Sequence, residues 1–194
     1  MRQKKFKIAI TGGIGCGKSY VCHKIEELGF PIFYCDDEAK RIIQKDGKVR
    51  TALKALVGEQ VYDIHGQLNK PMMREFLCQG KENAAKIDAI VHPRVAEVFQ
   101  EWAEQQSSSK VFMECAILFE SGFEKYVDQV LYVSAPLELR IERVMQRDHI
   151  TREKALEWMS LQMPEEDKRH RSDLCINNDG KEDIGLQLRE IIVD

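Results

Sequence analysis

The sequence predicts an α/β protein with a mainly parallel central sheet, and three observations predict it. Short apolar runs rich in strand formers alternate with longer stretches of helical periodicity. A glycine cluster stands between the first apolar run and the first helical stretch. The 194 residues are 43% hydrophobic and 31% charged, which suits one core with a modest insertion and hardly two independent domains.

Each element follows from the local pattern. Phe6–Thr11 reads as the first strand, and residues 19–28 as a helix that Gly29 closes. Residues 31–34 suggest a second strand ending in Cys35, Asp36 and Asp37, ahead of a helix from about Glu38. That places carboxylates at the C-terminal end of a strand, where open α/β sheets bind their ligands. From Lys48 to about Ser107 the pattern is helical with brief interruptions: 49–57, 71–79 and a longer stretch after Gly80 that carries His92-Pro93. We read residues 48–107 as a helical insertion beside the sheet, with the His-Pro pair breaking or capping a helix inside it. Residues 111–114 and 129–133 are strands, 137–147 and 152–163 helices, 174–177 a last short strand, and 182–193 a closing helix.

Charge and cysteine usage exclude several classes. Lys and Arg number 29 against 32 Asp and Glu, for a net charge of −3, so no dedicated nucleic-acid partner is expected. The opening MRQKKFKIAI lacks the apolar core of a signal peptide, and no 18-residue apolar run occurs, which predicts a cytoplasmic protein without a membrane partner. The six cysteines form no C-x-x-C pair and the five histidines are scattered, which argues for reduced thiols and against zinc.

The decisive residues are Gly12-Gly13-Ile14-Gly15-Cys16-Gly17-Lys18-Ser19, which fit G-x-x-x-x-G-K-[ST] between a predicted strand and a predicted helix. Glycines let backbone N–H groups turn around phosphate oxygens, and the helix N-terminus adds positive potential there. Lys18 would reach the β- and γ-phosphates and the Ser19 hydroxyl would bind Mg²⁺, so a nucleoside triphosphate is the expected ligand. The loop alone leaves GTPases, motor ATPases and small-molecule kinases open. Asp63 to Gly66 fits D-x-x-G, but no apolar strand leads into it and no N-K-x-D follows, so it reads as a turn. A small kinase needs a carboxylate for the acceptor proton, cations over the phosphoryl group and a lid. Asp36 and Asp37 offer the first, one as base and the other as helix cap. Arg140, Arg143 and Arg147, spaced i, i+3, i+7 on one helix face, offer the second. Arg152 and the run Lys168-Arg169-His170-Arg171 continue the positive charge, and residues 140–171 read as the lid.

With the phosphate loop, Asp pair, His-Pro and arginine-rich lid in this order, the sequence resembles the dephospho-coenzyme A kinase family over nearly its whole length. Thr11 to Ser19 looks like the family's T-G-G-I-G-S-G-K-S with Cys16 in place of serine. Cys35-Asp36-Asp37 followed by Ala39-Lys40-Arg41 resembles its D-A-D before a helix, with Cys35 at the first aspartate and Asp37 at the second. His92-Pro93 matches its H-P, and Ala116 to Glu120 its P-L-L-x-E with the proline lost. Arg143 to Asp148 matches its R-x-x-x-R-D, Gln162 a helix-ending glutamine, and Asp173 to Asn177 its D-x-x-I-x-N. The resemblance implies a P-loop kinase fold of three layers, a single domain with helical insertion and lid, acting as a monomer or small homo-oligomer. It implies phosphorylation of the ribose 3′-hydroxyl of dephospho-CoA by ATP with Mg²⁺. It further implies Asp37 as base, Lys18 and Arg143 as catalytic cations, and His92 and Arg140 beside Asp37 at the acceptor. Residues 13–20, with Tyr20 last, and Arg147 and Asn177 would bind ATP.

Overall fold

The computed structural model describes residues 4–192; residues 1–3 of the leading stretch and Val193, the expected end of the closing helix, lie outside them. The sheet has the order β2 (Ile32–Tyr34), β3 (Lys110–Glu114), β1 (Phe6–Thr11), β4 (Gln129–Ser134), β5 (Leu174–Asn177). β1 runs parallel to β3, opposing Ile10 to Glu114, and parallel to β4, opposing Thr11 to Tyr132; β5 continues parallel to β4. A strand covered on both faces must be apolar along its length, and Ile8, Ala9 and Ile10 are buried accordingly. The C-terminal ends of β1, β3 and β4 therefore share one edge, the edge on which such sheets carry their ligands.

The helices are α1 (Lys18–Glu27), α2 (Cys35–Lys45), α3 (Gly47–Val57), α4 (Lys70–Cys78), α5 (Lys81–Gln105), α6 (Leu137–Asp148), α7 (Arg152–Ser160), α8 (Glu165–His170) and α9 (Ile184–Ile192). No described helix is long and apolar enough to cross a membrane. The chain forms two compact units, residues 34–102 and the remainder. The first is helical, and its Ile42, Leu53, Val61, Val95 and Phe99 are buried. Asp63 to Gly66 is a turn in it: Asp63 Oδ1 accepts the N–H groups of His65 and Gln67, both at 2.8 Å.

Three elements differ from the sequence expectation. α2 begins at Cys35 rather than near Glu38, so Asp36 and Asp37 lie in its first turn and neither caps it. Acidic residues in a first turn complement the helix dipole, and here three stand in succession. α5 runs through Pro93 without ending; Val91 before the proline and Val95 and Phe99 after it are all buried, so both sides of it are packed. α7 stops at Ser160 rather than Met163, and a separate α8 follows Pro164. Proline disfavours helical backbone in the residue before it. Glu165, Glu166 and Asp167 in the first turn of α8 and Lys168, Arg169 and His170 in its last match the dipole at both ends.

In the sheet-bearing unit α6 and α7 pack through Ile141, Val144 and Ala155, with Ile14, Trp158 and Met159 against them. α8 is held from below by Lys168, which is 0% exposed and places Nζ 3.2 Å from both Glu120 Oε1 and the Ala116 carbonyl. Breaking a buried ion pair leaves an uncompensated charge. Glu120→Ala should therefore cost about 3 kcal/mol of stability and lower the melting temperature by roughly 6–12 °C. An unchanged denaturation midpoint would show that Lys168 finds another partner.

Candidate active site

The loop between β1 and α1 is built from its carbonyls outward. Lys18 Nζ donates to the carbonyls of Gly12 at 2.8 Å and Gly13 at 3.4 Å. Arg140 Nε donates to that of Ile14 at 2.9 Å. Arg143 Nη1 reaches the carbonyls of Gly15 and Cys16, both at 3.4 Å, and Asn178 Nδ2 donates to Cys16 at 2.9 Å. A peptide plane carries its C=O and N–H on opposite sides, so fixing these carbonyls fixes where the following N–H groups point. The Ile14 N–H is taken by Gln162 Oε1 at 3.0 Å. Ile14 is thus held by its side chain, its N–H and its carbonyl together.

Gly12, Gly13, Gly15 and Gly17 leave no room for a side chain in this packing, and two of them show why. Gly17 precedes α1 with φ 87°, and a Cβ there would lie 2.1 Å from Asn178 Nδ2. Gly13 has no unusual φ, but its Cβ would lie 1.9 Å from Glu165 Oε1 and 2.3 Å from Arg140 Nη2. Cys16 is fully buried beneath the loop, and burial pushes its thiol up from the ordinary value. It is a space-filling side chain and not a reactive thiolate.

Beside the loop lies a cavity of about 780 Å³ whose lining includes Gly17, Tyr20, Arg143, Asn178, Asp183 and Arg189. Tyr20 is exposed, with Lys24 Nζ 5.7 Å from its ring centre. The cavity continues from the N-terminus of α1, so a triphosphate in the loop can extend its nucleoside into it.

The arginine stripe divides into three environments. Arg140 is 4% exposed and pairs through Nη1 with Glu165 Oε2 at 3.2 Å; Glu165 in turn accepts from the Tyr132 hydroxyl. Burial, then the Glu165 carboxylate, pushes the Tyr132 hydroxyl well above its ordinary value. Arg143 Nη2 donates to the Asn178 carbonyl at 3.2 Å, which seats it between loop and cavity. Arg147 is largely exposed and paired with its neighbour Asp148 at 2.7 Å. The structure therefore brings Arg140 and Arg143 to the loop and leaves Arg147 on the surface.

Asn177 and Glu120 are engaged elsewhere. Asn177 donates from Nδ2 to Glu182 at 3.0 Å, and its backbone pairs with Gln187. The asparagine that meets the loop is the next one, Asn178. Sequence reasoning had also missed Glu165 and Tyr132, for which no local motif gives a signal. Gln162 it had matched to a family pattern without a role.

The helical unit carries the remaining residues. Asp37 projects from the first turn of α2, its carboxylate 77% exposed and 2.8 Å from Lys40 Nζ. His92 lies in α5 with Nε2 3.5 Å from Asp88 Oδ1. For a cation, no group of three His, Cys, Asp or Glu side chains stands ready among the described residues. Mg²⁺ at phosphates needs no such cage, since it keeps several waters and takes one or two protein oxygens. The exposed Ser19 at the start of α1 supplies a hydroxyl of that kind, so the residues present fit the ion.

The dephospho-CoA kinase family model matches residues 6–183. A curated dephospho-CoA kinase of Bacteroides fragilis is 41% identical over 187 residues, 96% of this chain and 91% of the relative. A Thermus thermophilus crystal structure superposes with a TM-score of 0.84 at 31% identity, covering 98% of this chain and 97% of that one. A dephospho-CoA kinase structure from Campylobacter jejuni, 23% identical, shares the fold with a TM-score of 0.70 over 96% of this chain and 95% of that one.

Proposed function

The chain belongs to the dephospho-CoA kinase family, which phosphorylates dephospho-CoA with ATP in coenzyme A biosynthesis, and from that premise we propose which of its residues carry the transfer to the ribose 3′-hydroxyl. The observation that carries the reading is the Lys18 ammonium folded over the mouth of the loop on the carbonyls of Gly12 and Gly13. There it can exchange two neutral acceptors for β- and γ-phosphate oxygens, to which it bonds more strongly.

ATP lies with its triphosphate on residues 13–19 and its nucleoside in the cavity beside Tyr20 and Asn178. Ser19 would hold Mg²⁺, which when bound neutralises charge on the phosphates. Arg143, already at the loop, places its planar fork where charge develops on the moving phosphoryl group. Asp37 accepts the proton of the 3′-hydroxyl; its carboxylate is exposed and follows β2 by three residues in the chain. His92 contributes to acceptor binding. Arg147, on the surface and held by a one-residue neighbour, turns to the phosphates when the lid closes. Arg140, bonded to the Ile14 carbonyl and Glu165, meets ATP through the loop it holds, and Asn177, bonded to Glu182, would reach the nucleotide only by exchanging that partner.

The test is ADP release from Mg·ATP with and without dephospho-CoA, with mass spectrometry of the acceptor. Stimulated release together with a coenzyme A product is expected. ATP turnover that ignores dephospho-CoA would overturn the assignment of the acceptor and leave the loop's role intact.

A further inference from the structure

We propose that Glu165 is a positioning residue for the transfer, acting through Arg140 on the Ile14 carbonyl; the inference rests on the reading of the loop as the ATP cradle. Arg140 is almost wholly buried, and its guanidinium touches the loop directly. Nε donates to the Ile14 carbonyl at 2.9 Å, Nη1 is 3.2 Å from Glu165 Oε2, and the space a Gly13 methyl would fill is taken by both side chains. Glu165 is itself fixed by the hydroxyl of Tyr132, whose backbone opposes Thr11, the residue leading into the loop.

A planar guanidinium gripped at both ends has one orientation, which an ammonium cannot reproduce. That orientation holds the Ile14 carbonyl turned toward Arg140 and, with it, the peptide planes on either side. Without Glu165 the guanidinium is a buried charge lacking its partner, and it turns toward whatever acceptor remains. The Ile14 peptide then loses its donor, and the N–H groups beside it lose their aim at the triphosphate.

Stability and positioning can be separated, because a buried ion pair replaced on both sides by apolar residues of similar size is often neutral for folding. The experiment compares wild type, R140M/E165L and R140K. It measures thermal unfolding, calorimetric binding of a non-hydrolysable ATP analogue, and steady-state kinetics with dephospho-CoA varied. R140M/E165L should unfold close to the wild-type temperature, yet bind the analogue and turn over at least about tenfold less well. Its KM for dephospho-CoA should stay within about twofold. R140K keeps a charge for Glu165, but its single nitrogen cannot stand where both Nε and Nη1 stand, so the Ile14 carbonyl loses its present orientation; it should show the same losses, and it decides the matter if the double variant does not fold. Wild-type affinity and kcat in a folded variant would overturn the proposal. If wild type itself left dephospho-CoA unphosphorylated, the acceptor reading would fall, and analogue binding would still decide the role of Glu165.

Discussion

Lys18→Ala should lower kcat by about 10³-fold or more, roughly 4 kcal/mol of transition-state stabilisation. The expectation follows from what the ammonium touches. In the structure it bridges the Gly12 and Gly13 carbonyls at the mouth of the loop, and in the proposed reading the same charge moves onto the phosphates of ATP. Alanine there would remove that cation, while Arg143 remains seated on Gly15 and Cys16. The fold should survive, since the loop keeps its anchors on Arg140, Asn178 and Gln162. Steady-state kinetics at saturating dephospho-CoA, with unfolding midpoints as control, checks this. A kcat within tenfold of wild type would show that Arg143 alone suffices.

Asp37→Asn should reduce kcat by about 10²–10⁴-fold while leaving ATP binding unchanged. Asparagine keeps the shape of the side chain and a weaker bond to Lys40, but it cannot take a proton. The Asp37 carboxylate bonds to Lys40 of its own helix at 2.8 Å, so its replacement should leave the contacts that hold the nucleotide cradle as they are. Single-turnover rates separate the chemical step from binding, and ATP calorimetry supplies the control. A variant that transferred at the wild-type rate would move the base to another group, Asp36 being the neighbour to test first.

The contiguous part of the site was legible in the sequence. Gly12 to Ser19 carries its own context, a strand before and a helix after, and the structure places Lys18 and Ser19 at that junction. Asp37 was legible as a carboxylate just past a strand, although its helix begins earlier because three acids suit a first turn. What stayed hidden is whatever depends on chain return. Arg140 and Glu165 are joined only because α7 and α8 fold back beneath the loop, and no spacing rule links residues that far apart. The asparagine at the loop was legible too, because the six positions of D-x-x-I-x-N counted from Asp173 end on Asn178 and not on Asn177. Successive strand residues face opposite sides, and the loop is met where the chain leaves β5, at Asn178, whose N–H bonds to the Ser134 carbonyl at 2.8 Å. The stripe spacing of Arg140, Arg143 and Arg147 was correct, but periodicity cannot say which member is covered. The packing of Ile14 against the cluster of Ile141, Val144 and Ala155 decides that.

The anchoring of the loop has a consequence for how the protein is made. Ile14 leaves the ribosome early, but its partners Arg140 and Gln162 are 126 and 148 residues further on, and the Asn178 that fixes Cys16 is 162 residues away from it. Such distant contacts form slowly, because the loops they close must be ordered first. A nascent chain that already displays the complete glycine-rich motif therefore holds no nucleotide site until the final strand has been synthesised. Until Gln129–Ser134 has emerged, well before that point, its β1 is an apolar strand without its β4 neighbour, a species exposed to aggregation.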